Sequence, residues 1–287
     1  MDTPWRTLID VAALHTRLDS GMPTVLLDCG FDLASPGAGE AAWSRGHLPG
    51  ALYVHLDRDL SGPKGEPGVG FSGRHPLPAR EALTATAGRL GIAPGVQVVA
   101  YDAHGGPYAA RAWWLLRWLG HDAVAVLDGG LPAWTAAGHA LDSQASVAIA
   151  MAQAPYPLLA PAMPTIDAAT LRSRLGAVRL LDARAAERFR GDVEPLDPVA
   201  GHIPGATLRW FKDNLLGDGR FKPAAQLRAE FDALASPPHT VVHQCGSGVT
   251  ACHNLLAMAY AGLEGSTLYP GSWSEWCADP SRPVARG

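Results

Sequence analysis

The chain states nearly the same pattern twice, and this duplication limits its fold more than any other feature. Near the start, Val25-Leu26-Leu27-Asp28-Cys29 is followed by Gly46-His47-Leu48-Pro49-Gly50-Ala51. Later, Arg179-Leu180-Leu181-Asp182-Ala183-Arg184 is followed by Gly201-His202-Ile203-Pro204-Gly205-Ala206. Val98-Val99-Ala100-Tyr101-Asp102 matches Val241-Val242-His243-Gln244-Cys245. Each half closes on a glycine turn with tryptophan, Gly129-Gly130-Leu131-Pro132-Ala133-Trp134 and Gly271-Ser272-Trp273-Ser274-Glu275-Trp276. A repeat of roughly a hundred residues or more is not a solenoid unit; it reads as two tandem domains.

Within each half, short apolar runs alternate with helical periodicity. The first half predicts helices over 8–18, 79–90 and 108–119 and strands over 24–29, 96–101 and 123–127. The second predicts helices over 167–175, 224–234 and 251–261 and strands over 178–182, 240–244 and 266–269. Near-continuous apolar strands between helices argue for a parallel sheet covered on both faces. The expectation is an α/β chain with domains over 1–150 and 151–287, each a mostly parallel sheet flanked by helices. Residues 141–165 are rich in Ala and Pro, which favours an extended connector. Residues 62–73 read as a loop, ending in Arg74-His75-Pro76-Leu77-Pro78.

Composition narrows the function classes. With 47% hydrophobic and 17% charged residues the chain suits a globular protein with a sizeable core. A formal net charge of −4 gives no reason to expect nucleic acid or an anionic membrane as partner. No apolar run approaches the roughly 18 residues of a membrane span, and the N-terminus lacks a basic-then-apolar leader. The location expected is the cytoplasm. Cys29, Cys245, Cys252 and Cys277 show neither a Cys-x-x-Cys pair nor metal-ligand spacing. Nothing in the sequence calls for a metal or a cofactor.

The chemistry concentrates in Val241-Val242-His243-Gln244-Cys245-Gly246-Ser247-Gly248-Val249-Thr250. It reads as a strand, a glycine-bearing turn and a helix start. Two glycines let several backbone N–H groups turn inward, and the helix aims its positive end at the same place. An ordinary cysteine is only about 3% thiolate at pH 7, and the thiolate is the nucleophile. A loop of this kind favours the anion, and it suits a persulfide, Cys–S–S⁻, equally well. The first half has Asp102 at the position of Cys245. An aspartate cannot carry sulfane sulfur, so that half reads as catalytically silent.

Cys245-Gly246-Ser247-Gly248-Val249-Thr250 resembles the active-site loop of the 3-mercaptopyruvate sulfurtransferases, within the rhodanese superfamily. The resemblance covers nearly the whole chain and implies two rhodanese-like domains. It implies a ping-pong transfer of sulfur from 3-mercaptopyruvate through a Cys245 persulfide to a thiol or cyanide, with release of pyruvate. A thioredoxin-like protein is one acceptor it suggests. Gly246, Gly248, Val249 and Thr250 would line the sulfur. Arg188, in Glu187-Arg188-Phe189-Arg190-Gly191, matches the family's substrate-binding arginine. Ser247, His75 and Asp57 match its proton-handling serine, histidine and aspartate, an arrangement with the logic of a hydrolase triad.

One position departs from the family pattern. The family carries a second arginine about where Leu196 stands here, so the keto-acid clamp lacks one half unless Arg184, Arg190 or Arg209 substitutes. This leaves the preferred donor open between 3-mercaptopyruvate and thiosulfate. A non-enzymatic sulfur-carrier module is the alternative outside enzymes. A cysteine phosphatase would need arginine six residues after the cysteine, where Ala251 stands.

Overall fold

The computed structural model describes residues 3–66, 70–144 and 154–287. It divides into two compact units. The first comprises Met1–Ser61, Pro78–Ala162 and Leu216–Phe221; the second comprises Gly62–Leu77, Met163–Leu215 and Lys222–Gly287. The segment holding Arg74 and His75 therefore belongs to the unit that holds Cys245. The boundary expected near residue 150 and the centre of the proline-rich connector lie outside the described residues.

The first unit contains β1 (Leu8–Ile9), α1 (Val11–Asp19), β2 (Thr24–Asp28), α2 (Ala38–Arg45), β3 (Leu52–Tyr53) and α3 (Leu56–Asp59). It continues with α4 (Arg80–Arg89), β4 (Gln97–Tyr101), α5 (Pro107–Leu119), β5 (Val124–Leu127) and α6 (Gly130–Ala136). Its sheet has the order β1-β5-β4-β2-β3 and every pairing is parallel. Helical periodicity over 8–18 concealed β1. Asp10 accepts from the Ala13 amide at 2.8 Å and so starts α1 two residues after the strand ends. Leu14, Leu26, Val99, Leu127 and Trp134 form one buried cluster of this unit.

The second unit contains α7 (Ala168–Ser173), β6 (Arg179–Asp182), α8 (Ala186–Arg190) and β7 (Ala206–Leu208). Then follow α9 (Ala224–Leu234), β8 (Val241–Gln244), α10 (Ala251–Tyr260), β9 (Thr267–Leu268) and α11 (Ser272–Ala278). Its sheet runs β7-β6-β8-β9, again all parallel. Leu180, Val242, Tyr269, Trp273 and Trp276 belong to its buried cluster. The short elements β3, α3, α8 and β7 are below the length at which sequence periodicity becomes visible.

Backbone hydrogen bonds fix the correspondence between the repeats residue by residue. Cys29 N donates to Tyr101 O, and Ala183 N to Gln244 O. His47 and Asp142 exchange a backbone pair, as do His202 and Ala285. Leu131 N donates to Asp102 O, and Trp273 N to Cys245 O. His47 and His202 each bond a carbonyl through Nδ1, to Trp43 and Phe189, and stack on that residue's ring. The matched histidines hold turns in both halves. Among the described residues no helix is long and apolar enough to cross a membrane.

Candidate active site

β8 is buried along its length and delivers Cys245, the next residue, at the carboxyl edge of a parallel sheet, where α/β folds place their sites. The residue's surroundings are set by the next loop in the chain. Trp273 N donates to Cys245 O and Ser274 N to Gly246 O, both at 2.9 Å. Cys245 N donates to Ser272 Oγ at 3.1 Å, while that hydroxyl donates to Tyr269 O at 3.0 Å. Ser272 is held at φ 53°, a left-handed backbone uncommon for a residue with a side chain. Such strain persists where the surroundings over-determine it, and here three hydrogen bonds lock the two loops together while a fourth fixes the Ser272 hydroxyl within its own loop.

Gly248 also lies in the left-handed region, at φ 77°, and a Cβ there would stand 2.4 Å from Pro270 O. Only glycine fits this bend. The amides of Gly246, Ser247, Val249 and Thr250 have no acceptor among the described residues. Gly246 is buried and Ser247 and Val249 are 6% and 5% exposed, so three of these donors sit in buried residues. Buried unpaired amides are costly, and successive ones around a glycine bend suit an anion. The sequence predicted amides gathered on the cysteine sulfur itself. No hydrogen bond among the described residues reaches Sγ, because the residue's own amide is turned to Ser272. The free donors follow the cysteine in the chain.

Two guanidiniums stand over the residue after the cysteine. A Cβ on Gly246 would lie 2.9 Å from Arg74 Nη2 and 3.4 Å from Arg188 Nη1. Arg74 pairs with Asp197, and Arg188 Nη2 lies 2.6 Å from Glu194 Oε1 and 3.3 Å from Asp197 Oδ2. The two carboxylate side chains are 3% exposed, while those of Arg74 and Arg188 are 22% and 18% exposed. The acids are thus sealed behind the arginines, and the arginines keep an accessible side. Burial raises the Asp197 carboxyl above its usual range, against the opposing pull of Arg74.

Ser247 Oγ and His75 Nδ1 are hydrogen-bonded at 2.7 Å, and both residues are buried. Packing of the Gly62–Leu77 segment brings this about. Gly73, at φ 101°, lies against Gly271, and Arg74 N donates to Ser274 Oγ at 3.1 Å. Residues 10–137 and 167–279 match the model of the rhodanese-like domain.

The chain belongs to the rhodanese family.

It is 50% identical over 285 residues to a Pseudomonas aeruginosa protein named as a probable 3-mercaptopyruvate sulfurtransferase, covering 98% of each chain. It is 42% identical over 295 residues to a Mycobacterium tuberculosis protein with the provisional name thiosulfate sulfurtransferase SseB, covering 100% of this chain and 99% of that one. The solved 3-mercaptopyruvate sulfurtransferase from Leishmania major superposes with a TM-score of 0.82 at 27% identity, covering 95% of this chain and 74% of that one. Relatives of high coverage therefore carry the names of both donors.

This rhodanese brings Cys245, Gly246, Ser247, Gly248, Val249, Thr250, His75 and Arg188 into one unit. Asp57 is in the other unit, in α3, where its amide donates to His55 Nδ1 at 3.1 Å. None of the three arginines offered as replacements for the one missing at Leu196 stands over Gly246. Arg184 is locked to Asp182 and the Gly201 carbonyl. Arg190 pairs with Asp192 in solvent, and Arg209 is held by Asn214 and Glu230. Leu196 itself is 44% exposed. Arg74 is the residue the sequence reading missed. Its signal was adjacency to His75, but only the packing of its loop shows where its guanidinium ends. Glu194 and Asp197 were missed for the same reason. His243, read from sequence as packed, is fully buried, and burial lowers its pKa to about 3. Its imidazole is neutral and takes no part in the loop.

Proposed function

We propose that this rhodanese transfers sulfane sulfur from 3-mercaptopyruvate through a persulfide on Cys245 to a thiol or to cyanide, releasing pyruvate. The observation that carries the reading is the pair of guanidiniums, Arg74 and Arg188, poised over Gly246 beside a loop of unpaired amides. A planar α-keto carboxylate is what two arginine forks recognise. Arg74 then supplies the half of the clamp that Leu196 cannot.

In the first step the Cys245 thiolate attacks the donor sulfur. The S–C bond breaks, its electron pair passes to C3, and the enolate of pyruvate forms. The proton leaving the donor thiol reaches C3 by way of Ser247 Oγ and His75. The products are pyruvate and Cys–S–S⁻. The unpaired amides of Gly246, Ser247, Val249 and Thr250, with that of Gly248 in the same loop, hold the outer sulfur, one bond beyond Sγ. In the second step an acceptor thiolate, a thioredoxin-like protein included, attacks that outer sulfur and Cys245 leaves as thiolate. Residues 151–287 carry the nucleophile; the repeat in residues 1–150 has Asp102 in its place and is silent as a sulfur carrier, although the same residues supply Arg74 and His75. Four free cysteines suit a reducing, cytoplasmic setting.

Thiosulfate is the competing donor. It is a dianion, and Glu194 and Asp197 already answer the charge of Arg74 and Arg188, which favours the single carboxylate. Incubation with 3-mercaptopyruvate should add about 32 Da, one sulfur atom, and Cys245→Ser should abolish the gain. A Cys245→Ser protein that still turns over would end the reading.

A further inference from the structure

The repeat leaves one buried carboxylate of the first unit without the cation that its counterpart holds. In the second unit Asp182 grips Arg184, with Nε 3.1 Å from each carboxylate oxygen and Nη2 2.7 Å from Oδ2. Nη2 also donates to the Gly201 carbonyl at 2.8 Å, and the guanidinium lies 4.9 Å from the centre of a Trp273 ring.

The first unit keeps this socket and lacks the guanidinium. By the matched hydrogen bonds, Asp28 stands for Asp182, Gly46 for Gly201 and Leu131 for Trp273. Gly30 stands for Arg184: each donates its amide, at 2.9 Å, to the aspartate two residues earlier. Where the arginine side chain would run there is a cavity of about 240 Å³, lined by Asp28, Gly30, Trp43, Gly46, His104 and Leu131 among others. Asp28 is 5% exposed. It accepts from the Gly30 amide and the Tyr101 hydroxyl; against burial, a protonated His47 is the one positive group that draws its pKa down, and among the described residues no arginine or lysine pairs with it. Arg45 is at the wall but exposed to solvent. Neighbouring Asp102 is occupied by the amides of His104, Gly106, Tyr108 and Ala109. The local field is negative. Burial first, then Asp28, Asp102 and Asp59, push the adjoining Cys29 thiol well above its usual range.

We propose that this cavity binds a small guanidinium or amidinium cation, paired with the Asp28 carboxylate and donating to the Gly46 carbonyl. A planar, weakly hydrated cation is the group the sister socket accepts, and a carboxylate at that depth prefers a forked partner. Leu131 is smaller than Trp273, so the cavity has room for an alkyl substituent beside the cationic head.

The probe is methylguanidinium chloride at millimolar concentration, with methylurea and sodium chloride as controls. Methylurea has nearly the same plane without the charge. Methylguanidinium should raise the melting temperature saturably, and calorimetry should give one site per chain. Asp28→Asn should weaken binding at least about tenfold, the loss expected for a charge-assisted pair. Gly30→Arg places a covalent guanidinium in the socket. It should melt higher without the probe and no longer respond to it. Sulfur transfer at Cys245 should persist in both variants, so failure here is separable from failure of the catalytic reading. Equal responses to methylurea and methylguanidinium, or saturable binding retained in Gly30→Arg, would overturn the proposal.

Discussion

Replacing Arg74 by Gln tests whether the clamp has moved to a new place in the chain. The change removes one of two guanidiniums over Gly246 and leaves Arg188 with both Glu194 and Asp197. A hydrogen bond to a charged partner contributes about 1.5–3 kcal/mol, or about 10- to 150-fold in kcat/KM. The Arg74 side chain is 22% exposed, which argues for the lower part of that range. The carboxylate it would hold is remote from the sulfur that moves, so the loss should fall on KM and spare kcat. Stability should change little. The Arg74–Asp197 pair is partly exposed and Asp197 keeps Arg188, so about 1 kcal/mol or less is expected, about 2–4 °C in melting temperature.

A pH signature accompanies the change. Arg74 holds the Asp197 carboxyl down against burial, so its removal raises that carboxyl further. Protonating Asp197 at lower pH frees Arg188 for the donor. The Arg74→Gln defect in KM should therefore shrink as pH falls, while the parent protein shows no such recovery. The assay is pyruvate release with 3-mercaptopyruvate varied, followed in a lactate dehydrogenase couple. A KM within about twofold of the parent, or a loss carried by kcat alone, would refute the clamp.

Two other expectations concern protons. Ser247→Ala and His75→Asn should cut kcat with 3-mercaptopyruvate by about 10²–10⁴ and leave KM largely unchanged. They should impair thiosulfate far less, since sulfite leaves without any carbon being protonated; equal losses with both donors would argue against a proton relay. His243 governs part of the acid limb of stability. Its folded pKa is about 3, whereas an unfolded histidine titrates near 6.5. The folded protein binds fewer protons between these values, so stability falls as pH drops from about 6.5 towards 3, by up to about 1.4 kcal/mol per pH unit. His243→Leu should flatten urea-unfolding midpoints between pH 7 and pH 5, and an unaltered slope in the variant would contradict this assignment.

The strand, bend and helix start of the Cys245 loop were legible because the signals for them are local, whereas its bonds to the Ser272–Ser274 turn were not. Val241 and Val242 open a β-branched run, Gly248 permits the bend, and α10 follows at once. The repeat was equally legible, since hydrophobic runs and Pro-Gly turns recur in the same order. Elements of two to five residues such as β3, β7 and α8 were not, because so short a segment shows no period. β1 was hidden for a related reason: a two-residue strand pairs only because β5 lies alongside.

By itself the sequence determined two parallel α/β units and a glycine-bent loop that opens on Cys245 where the first repeat has Asp102. Those depend on which side chains are adjacent along the backbone and on which φ angles glycine permits. Tertiary packing decided the rest. Arg74 lies 123 positions from Asp197, and His75 lies 172 from Ser247. Contacts that distant in sequence follow from how the Gly62–Leu77 segment folds onto the Gly271–Ser274 turn. The substitution of Leu for arginine at 196 therefore looked like a loss in the sequence, whereas in three dimensions a guanidinium arrives at Gly246 from another direction. That Gly30 stands opposite Arg184 follows from the aligned repeats, but only the fold shows the cavity beside Asp28 where the arginine side chain would run.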